Sequence, residues 1–352
     1  MRIAQVAPLF ESVPPKYYGG TERVVSYLTE ELVRQGHDVT LYASGDSITQ
    51  AKLVATSRRS LRLDKHCVDQ LAHQVLMLER VAQSAASFDV MHFHVDYLHF
   101  PYSRRHSTPH LTTLHGRLDI QDLVPIYREF REMPVVSISA AQREPLPHAR
   151  WLGTVHHGLP QDLYRFQAEP GDYLAFVGRV APEKRVDRAI EIAKRVGLPL
   201  RIAAKVDAVD REYFENVIEP LLRDPLVEYV GEIGDGEKQE FLGNARVLLF
   251  PIDWPEPFGL VMIEAMACGT PVIAFRGGSV PEVLDDGVTG FIVDDLDDAV
   301  AAAARIGELE RRRCREIFEQ RFTSERMARD YVELYATLLE TSQRRATGVN
   351  RR

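Results

Sequence analysis

Short β-branched and apolar runs alternate with helix-period segments along nearly the whole chain, and the series starts twice. In the first half the runs are RIAQVA (2–7), DVTLYA (38–43), DVMHFH (89–94), HLTTLH (110–115) and VVSIS (135–139). Between the first two, the stretch from Thr21 to Gln35 places Val24, Val25, Leu28, Leu32 and Val33 at helical spacing, and Gly36 stops it. After Pro160 the pattern resumes with YLAFVG (173–178), PLRIAA (199–204), VEYVG (227–231), RVLLFP (246–251) and PVIAF (271–275). Continuous apolar strands joined by helices pair in parallel and are covered on both faces. The predicted fold class is therefore α/β, with two doubly wound Rossmann-like domains facing across a cleft. Ligands of such sheets sit beyond the carboxyl ends of the strands.

Domain bounds follow from the breaks. An N-terminal domain is expected over 1–165 and a C-terminal one over 166–323, with a linker at 159–171 where Pro160, Pro170 and Gly171 interrupt periodicity. A last amphipathic helix over 324–340 carries Met327, Tyr331, Leu334, Tyr335 and Leu338, and is expected to return to the first domain. The remainder, 342–352, has four arginines and no apolar run and reads as a disordered tail.

Composition removes several classes of function. With 352 residues, 45% hydrophobic and 27% charged, the chain has the balance of a globular protein of about two domains. No 18-residue apolar run exists, which excludes a membrane-spanning helix, and the first residues predict no secretory leader. Cys67, Cys268 and Cys314 are widely spaced, with no CxxC, as suits a reducing, cytoplasmic compartment. The net charge of −8 divides into +1 over 1–165 and −9 over the rest, which argues against nucleic acid as a partner. Arg58, Arg59, Arg62 and Lys65, and the Arg104-Arg105 pair, read first as a solvated face. They leave peripheral association with a membrane surface open. Oligomeric state has no signal in the sequence.

Three stretches carry chemistry. In PIDWPEPFGLVMIEAMACGTPVIAF (251–275), Pro255 and Pro257 hold Glu256 in a fixed loop. A helix is expected from Phe258 to Cys268, with Gly269 behind it. The amides of Phe258, Gly259 and Leu260 at the positive end of that helix suit a phosphate. Glu264, among apolar neighbours, needs a partner such as a ribose diol; the plainer reading is a carboxylate capping a neighbouring element. In GRVAPEKR (178–185), Gly178 permits a close turn, and Arg179 and Lys184 stand at the end of a parallel strand. Two cations there suit a diphosphate, though a helix-start charge pair of Glu183 with Lys184 or Arg185 explains the charges equally well. In KYYGGTERVV (16–25), Gly19 and Gly20 expose backbone donors before a helix with Thr21 as N-cap, or simply close a tight loop. His115 ends a strand and Gly116 follows it; alone, such a histidine is more often structural. His92, His94 and Asp96 have the alternation of metal ligands, but their apolar neighbours favour packing, and no metal site is predicted. The chain has no Walker loop, no GxGxxG after a strand and no nucleophile elbow.

Taken in order, Gly19-Gly20, His115-Gly116, Gly178-Arg179 with Glu183-Lys184, and Glu256 with Glu264 resemble the retaining glycosyltransferases of family 4, which have the two-Rossmann-domain GT-B architecture. The resemblance covers roughly 1–340. It implies that Arg179 and Lys184 hold the diphosphate of a nucleoside-diphosphate sugar, with a UDP-sugar favoured and GDP- or ADP-sugars as alternatives. Glu256 would contact the transferred sugar, Glu264 the ribose, Gly20 a phosphate through its amide, and His115 the donor sugar near the reacting centre. Glu232 and Ile233 would lie by the nucleobase. A hydroxyl of a glycan, lipid-linked sugar or natural product would be the acceptor, and no tightly bound metal or other cofactor is implied. The chain departs from the family at Arg185 and Ala204, where glycine is common, and Arg185 is expected to point to solvent. The competing readings are a sugar-nucleotide epimerase or glycan phosphorylase of the same architecture, and a nucleotide-binding module without catalysis.

Overall fold

The structure, a computed structural model, describes residues 1–17 and 19–346. The chain forms two compact units, unit 1 being Met1–Gly158 with the segment from Ser324, and unit 2 being Leu159–Thr323.

Unit 1 contains β1 (Arg2–Val6), β2 (Asp38–Ser44), β3 (Lys52–Ser57), β4 (Val90–Phe93), β5 (His110–Thr113), β6 (Pro134–Ser137) and β7 (Arg150–Thr154). They form one parallel sheet in the order β3-β2-β1-β4-β5-β6-β7. Unit 2 contains β8 (Tyr173–Arg179), β9 (Leu200–Lys205), β10 (Val227–Gly231), β11 (Ala245–Phe250), β12 (Val272–Phe275) and β13 (Gly290–Val293). Their order is β10-β9-β8-β11-β12-β13, again all parallel. In each sheet the chain winds outward from one central strand, then returns to that strand's other side. The reversal falls between β1 and β4 in unit 1 and between β8 and β11 in unit 2, and such switch points are where these folds bind ligands.

The central strands are buried on both faces, as their apolar runs require: Ile3, Ala4, Val6, Val90, Met91 and Phe93 in unit 1, and Leu174, Ala175, Val247, Leu248 and Ile273 in unit 2. The first helix, Gly20–Arg34, buries Val24, Val25, Leu28 and Leu32, and Gly36 just beyond it takes a positive φ of 84°. The helix Ser324–Ala346 belongs to unit 1, where it buries Met327, Tyr331 and Tyr335. No helix among the described residues is long and apolar enough to cross a membrane.

Three differences from expectation have physical causes. Strands β3, β7 and β13 were not foreseen. All three lie at sheet edges, where β3 and β7 are half-exposed and lose the continuous apolar run, and β13 has only four residues. The stretch 159–171 is not a free linker. The Leu159 amide donates to the Phe322 carbonyl, Gln167 to Cys268, and the guanidinium of Arg315 to the carbonyls of Gln161 and Tyr164. Finally, residues 342–346, expected in a disordered tail, continue the last helix; 347–352 lie outside the described residues.

Candidate functional site

In unit 2, Lys184 and Glu256 meet between the loops that follow β8 and β11, the two strands that flank the switch point. Gly178 lies inside β8, opposite Ala204 on β9, and not in a turn; a Cβ there would meet only ordinary contacts with the Phe176 ring. Arg179 is the last residue of β8. The chain then makes a short 3₁₀ turn, Pro182–Lys184, and enters the helix Val186–Val196 through Arg185, whose φ of 53° is left-handed. That conformation explains why glycine suits the position. Arg185 does not point to solvent: its guanidinium bonds Asp187 and, at 2.8 Å, Asp253.

Glu183 pairs with Arg179, not with Lys184 or Arg185. The same guanidinium reaches Asp210 at 3.2 Å. Burial nevertheless pushes the Asp210 carboxyl above its ordinary value, Arg179 opposing. Lys184 pairs with Glu256 and lies 4.7 Å over the Trp254 ring. Trp254 Nε1 donates to the same Glu256 oxygen at 3.0 Å. The Asp253 amide donates to the Glu183 carbonyl at 2.9 Å, so the two loops are joined by backbone as well as by charge.

The loop carrying Glu256 is buttressed from behind. Ser279 donates through its amide to the Glu256 carbonyl and through its hydroxyl to the Phe258 carbonyl, both at 2.9 Å. Gly278, with φ of 53°, lets this approach happen, since a Cβ would stand 2.2 Å from the Glu256 carbonyl oxygen. The helix beyond starts at Leu260, two residues later than expected. Gly259 is left-handed, with φ of 79°, and so cannot belong to a right-handed helix. Phe258 is buried and packs its ring against Phe322. The Met262 amide donates to the Gly259 carbonyl, which leaves the amides of Leu260 and Val261 as the first-turn donors.

Glu264 is 2% exposed and receives both its hydrogen bonds from Lys238 Nζ, at 2.9 and 3.0 Å. Lys238 belongs to the helix Asp235–Gly243, which follows Glu232 and Ile233. Glu232 is exposed and Ile233 half-buried, just after Gly231 with its φ of 80°.

In unit 1, Gly19 itself caps the helix that opens at Gly20, and Thr21 lies within the first turn; a Cβ on Gly19 would press on Pro15 at 2.8 Å. His115 follows β5, with its Nε2 2.9 Å from His94 Nδ1 and its ring stacked on His157 at 5.3 Å between centroids. Burial pushes its pKa down to about 3. His92 and His94 spend their ring nitrogens on Tyr335, Thr113, Gln5 and His115. Among the described residues no group of three or more His, Cys, Asp or Glu is placed to hold a metal ion. Asp96, left-handed with φ of 50°, has its carboxyl pushed up to about 6 by burial.

Two family models match. Glycosyltransferase Family 4 covers residues 18–188, and Glycosyl transferases group 1 covers 165–325. The chain belongs to glycosyltransferase family 4. Its relative alpha-maltose-1-phosphate synthase of Mycolicibacterium smegmatis is 26% identical over 349 residues, spanning 86% of this chain and 88% of that protein. In fold it is similar to sucrose-phosphate synthase of Thermosynechococcus elongatus, with a TM-score of 0.81 at 19% identity, covering 97% of this chain and 100% of the other. The Anabaena protein HepE, crystallised with UDP and glucose, matches with a TM-score of 0.72 at 17% identity over 96% of this chain and 100% of its own. The two sheets are those of the GT-B glycosyltransferases, and the chain is a sugar-transferring enzyme of that fold.

Several residues of this glycosyltransferase escaped the sequence. Trp254 stands two residues before Glu256 with no spacing rule to single it out. The pair Gly277-Gly278 follows β12 after one residue and was the one usable signal. Lys238 and Asp210 meet their partners only through the fold.

Proposed function

We propose that this glycosyltransferase is a retaining, metal-independent hexosyltransferase that takes a nucleoside-diphosphate sugar, a UDP-sugar in the first place, and transfers the hexosyl group to a hydroxyl acceptor. The observation that carries the proposal is the contact of Lys184 with Glu256, beside Arg179 at the end of β8. It puts a cation suited to a diphosphate next to a carboxylate suited to sugar hydroxyls.

Breaking the anomeric C–O bond leaves the electron pair on the departing diphosphate and positive charge on the sugar ring. Arg179 and Lys184 oppose the first, Arg179 by its planar fork and Lys184 as a point charge. The amide of Leu260 at a helix N-terminus adds a donor to the phosphate. Glu256, fixed by Trp254, accepts hydrogen bonds from the transferred sugar. Glu264, shielded by Lys238, takes the ribose, and the base rests by Glu232 and Ile233. Positive charge from side chains and amides does the work a divalent ion does elsewhere.

A thermal-shift panel of nucleoside diphosphates and their sugars tests this reading. Binding to the folded state raises stability by about 2.7 kcal/mol at a hundredfold excess over Kd. UDP and a UDP-sugar should raise Tm with and without EDTA. A shift that appears only with a divalent ion, or no shift with any nucleotide, would overturn it.

A further inference from the structure

We infer that Gln5 and His94 are positioning residues that hold His115 as its Nε2–H tautomer, so that the atom it offers to substrate is a bare Nδ1, an acceptor for a sugar hydroxyl. The inference rests on the proposed function and on the place by the donor sugar that the family resemblance implies for His115, and adds the direction of its hydrogen bond. Every residue involved belongs to unit 1.

The direction is set by one side chain. The amide nitrogen of Gln5 donates to the Tyr335 hydroxyl at 3.2 Å, and His92 Nδ1, whose one lone pair meets that hydroxyl at 2.7 Å, lies farther from the amide nitrogen at 3.5 Å. The Gln5 amide oxygen faces a single ring nitrogen, His94 Nε2, at 2.8 Å. An oxygen only accepts, so His94 carries its proton on Nε2. A neutral imidazole has one N–H, which makes His94 Nδ1 the acceptor toward His115 Nε2 at 2.9 Å. His115 must then carry its own proton on Nε2. Its Nδ1 is left as a lone pair, buried and without a hydrogen-bond partner among the described residues.

The far end of the circuit agrees. With the Gln5 amide nitrogen donating to it, the Tyr335 hydroxyl gives its proton to His92 Nδ1 at 2.7 Å, and His92 Nε2 donates to the Thr113 hydroxyl at 2.7 Å. Burial holds His92 and His94 well below the ordinary imidazole range, and His115 low as well, so all three rings stay neutral at pH 7. A neutral ring this reluctant to take a proton is a reader of a hydroxyl, not a general base. Donor sugars lacking the hydroxyl that meets Nδ1 should therefore be poor substrates.

Nitrogen-15 NMR of the full-length protein labelled at histidine reads the tautomer directly, with His115 assigned by the loss of its signals in His115→Gln. Protonated Nε2 and bare Nδ1 at pH 7 are expected; a protonated Nδ1, or an imidazolium, overturns the inference. This readout needs no activity, so it stands apart from the function proposed above. His94→Asn keeps an amide oxygen where Nδ1 stood and should preserve the tautomer, whereas His94→Leu should give a mixture. kcat/KM for the donor should fall about tenfold more in His94→Leu than in His94→Asn, with UDP affinity by calorimetry alike in the two. Equal losses in both variants would reduce His94 to packing and sink its role.

Discussion

The two units use one sheet plan and opposite polar chemistry. All twelve histidines lie between His37 and His157, in unit 1, and none lies in unit 2. At the strand ends of unit 1, neutral rings, hydroxyls and an amide bond one another: Gln5, His92, His94, Thr113, Tyr331 and Tyr335. At the same place in unit 2 the bonds are ion pairs, Arg179 with Asp210, Lys184 with Glu256, and Lys238 with Glu264. The contrast has a physical reading. A buried charge is tolerable only when paired, and a paired cation can be turned to a diphosphate. A neutral ring carries little force but a definite direction, as recognition of sugar hydroxyls demands. On this view unit 2 supplies strength and unit 1 supplies orientation.

Removing strength should cost most. Lys184→Ala or Arg179→Ala should lower kcat on the order of 10²–10³, as loss of one preorganised charge-stabilising group does, with an unchanged circular-dichroism spectrum. Near-normal turnover with a matched donor and acceptor would dissolve the division of labour. Gly278→Ala comes next and alters no charge. Its Cβ would force the Glu256 backbone away, and a displacement of about 1 Å costs on the order of 10² in rate. If its kcat stays within a few-fold of the parent, Glu256 does not depend on that buttress.

Acid separates the units without mutation. His92, His94, His99 and His157 lie well below 6.5 in the folded chain, mainly through burial, and His115 lies at about 3. The unfolded chain therefore takes up protons below pH 6.5 that the folded one refuses. Stability is intact above that pH and declines as the pH falls below it, by about 1.4 kcal/mol per pH unit for each such ring, and for His115 down to about 3. Unit 2 has no histidine to lose. The chain's two tryptophans allow the comparison, since Trp151 lies in unit 1 and Trp254 in unit 2. In single-tryptophan variants at pH 5, the Trp151 transition should precede that of Trp254. Coincident transitions, or an earlier one at Trp254, would break the contrast.

What the sequence revealed follows the same physics. Central strands announce themselves because burial on both faces demands apolar runs, and the edge strands β3 and β7 do not. Motif spacing within one loop, as in Pro255, Glu256 and Pro257, is visible in one dimension. Partnership is not: Lys238 meets Glu264 across 26 residues and His94 meets His115 across 21, with no pattern in between. Gly259 shows the intermediate case. Its value for close approach was legible, but its left-handed backbone, which delays the helix to Leu260, was not.

Arg185 tests whether unit 2 uses charge even for backbone. A left-handed residue other than glycine is strained by roughly 1–2 kcal/mol, and here Asp187 and Asp253 hold the guanidinium in place. Partly exposed pairs of this kind contribute only about 0.2–1 kcal/mol each. Arg185→Ala loses the pairs and keeps the strain; Arg185→Gly loses the pairs and relieves it. Glycine should therefore be the more stable of the two by about 1 kcal/mol in urea melts, even after its greater unfolded-state freedom is counted. Should alanine equal or exceed glycine there, the left-handed turn is not strained, and the ion pairs around Arg185 serve some purpose other than holding it.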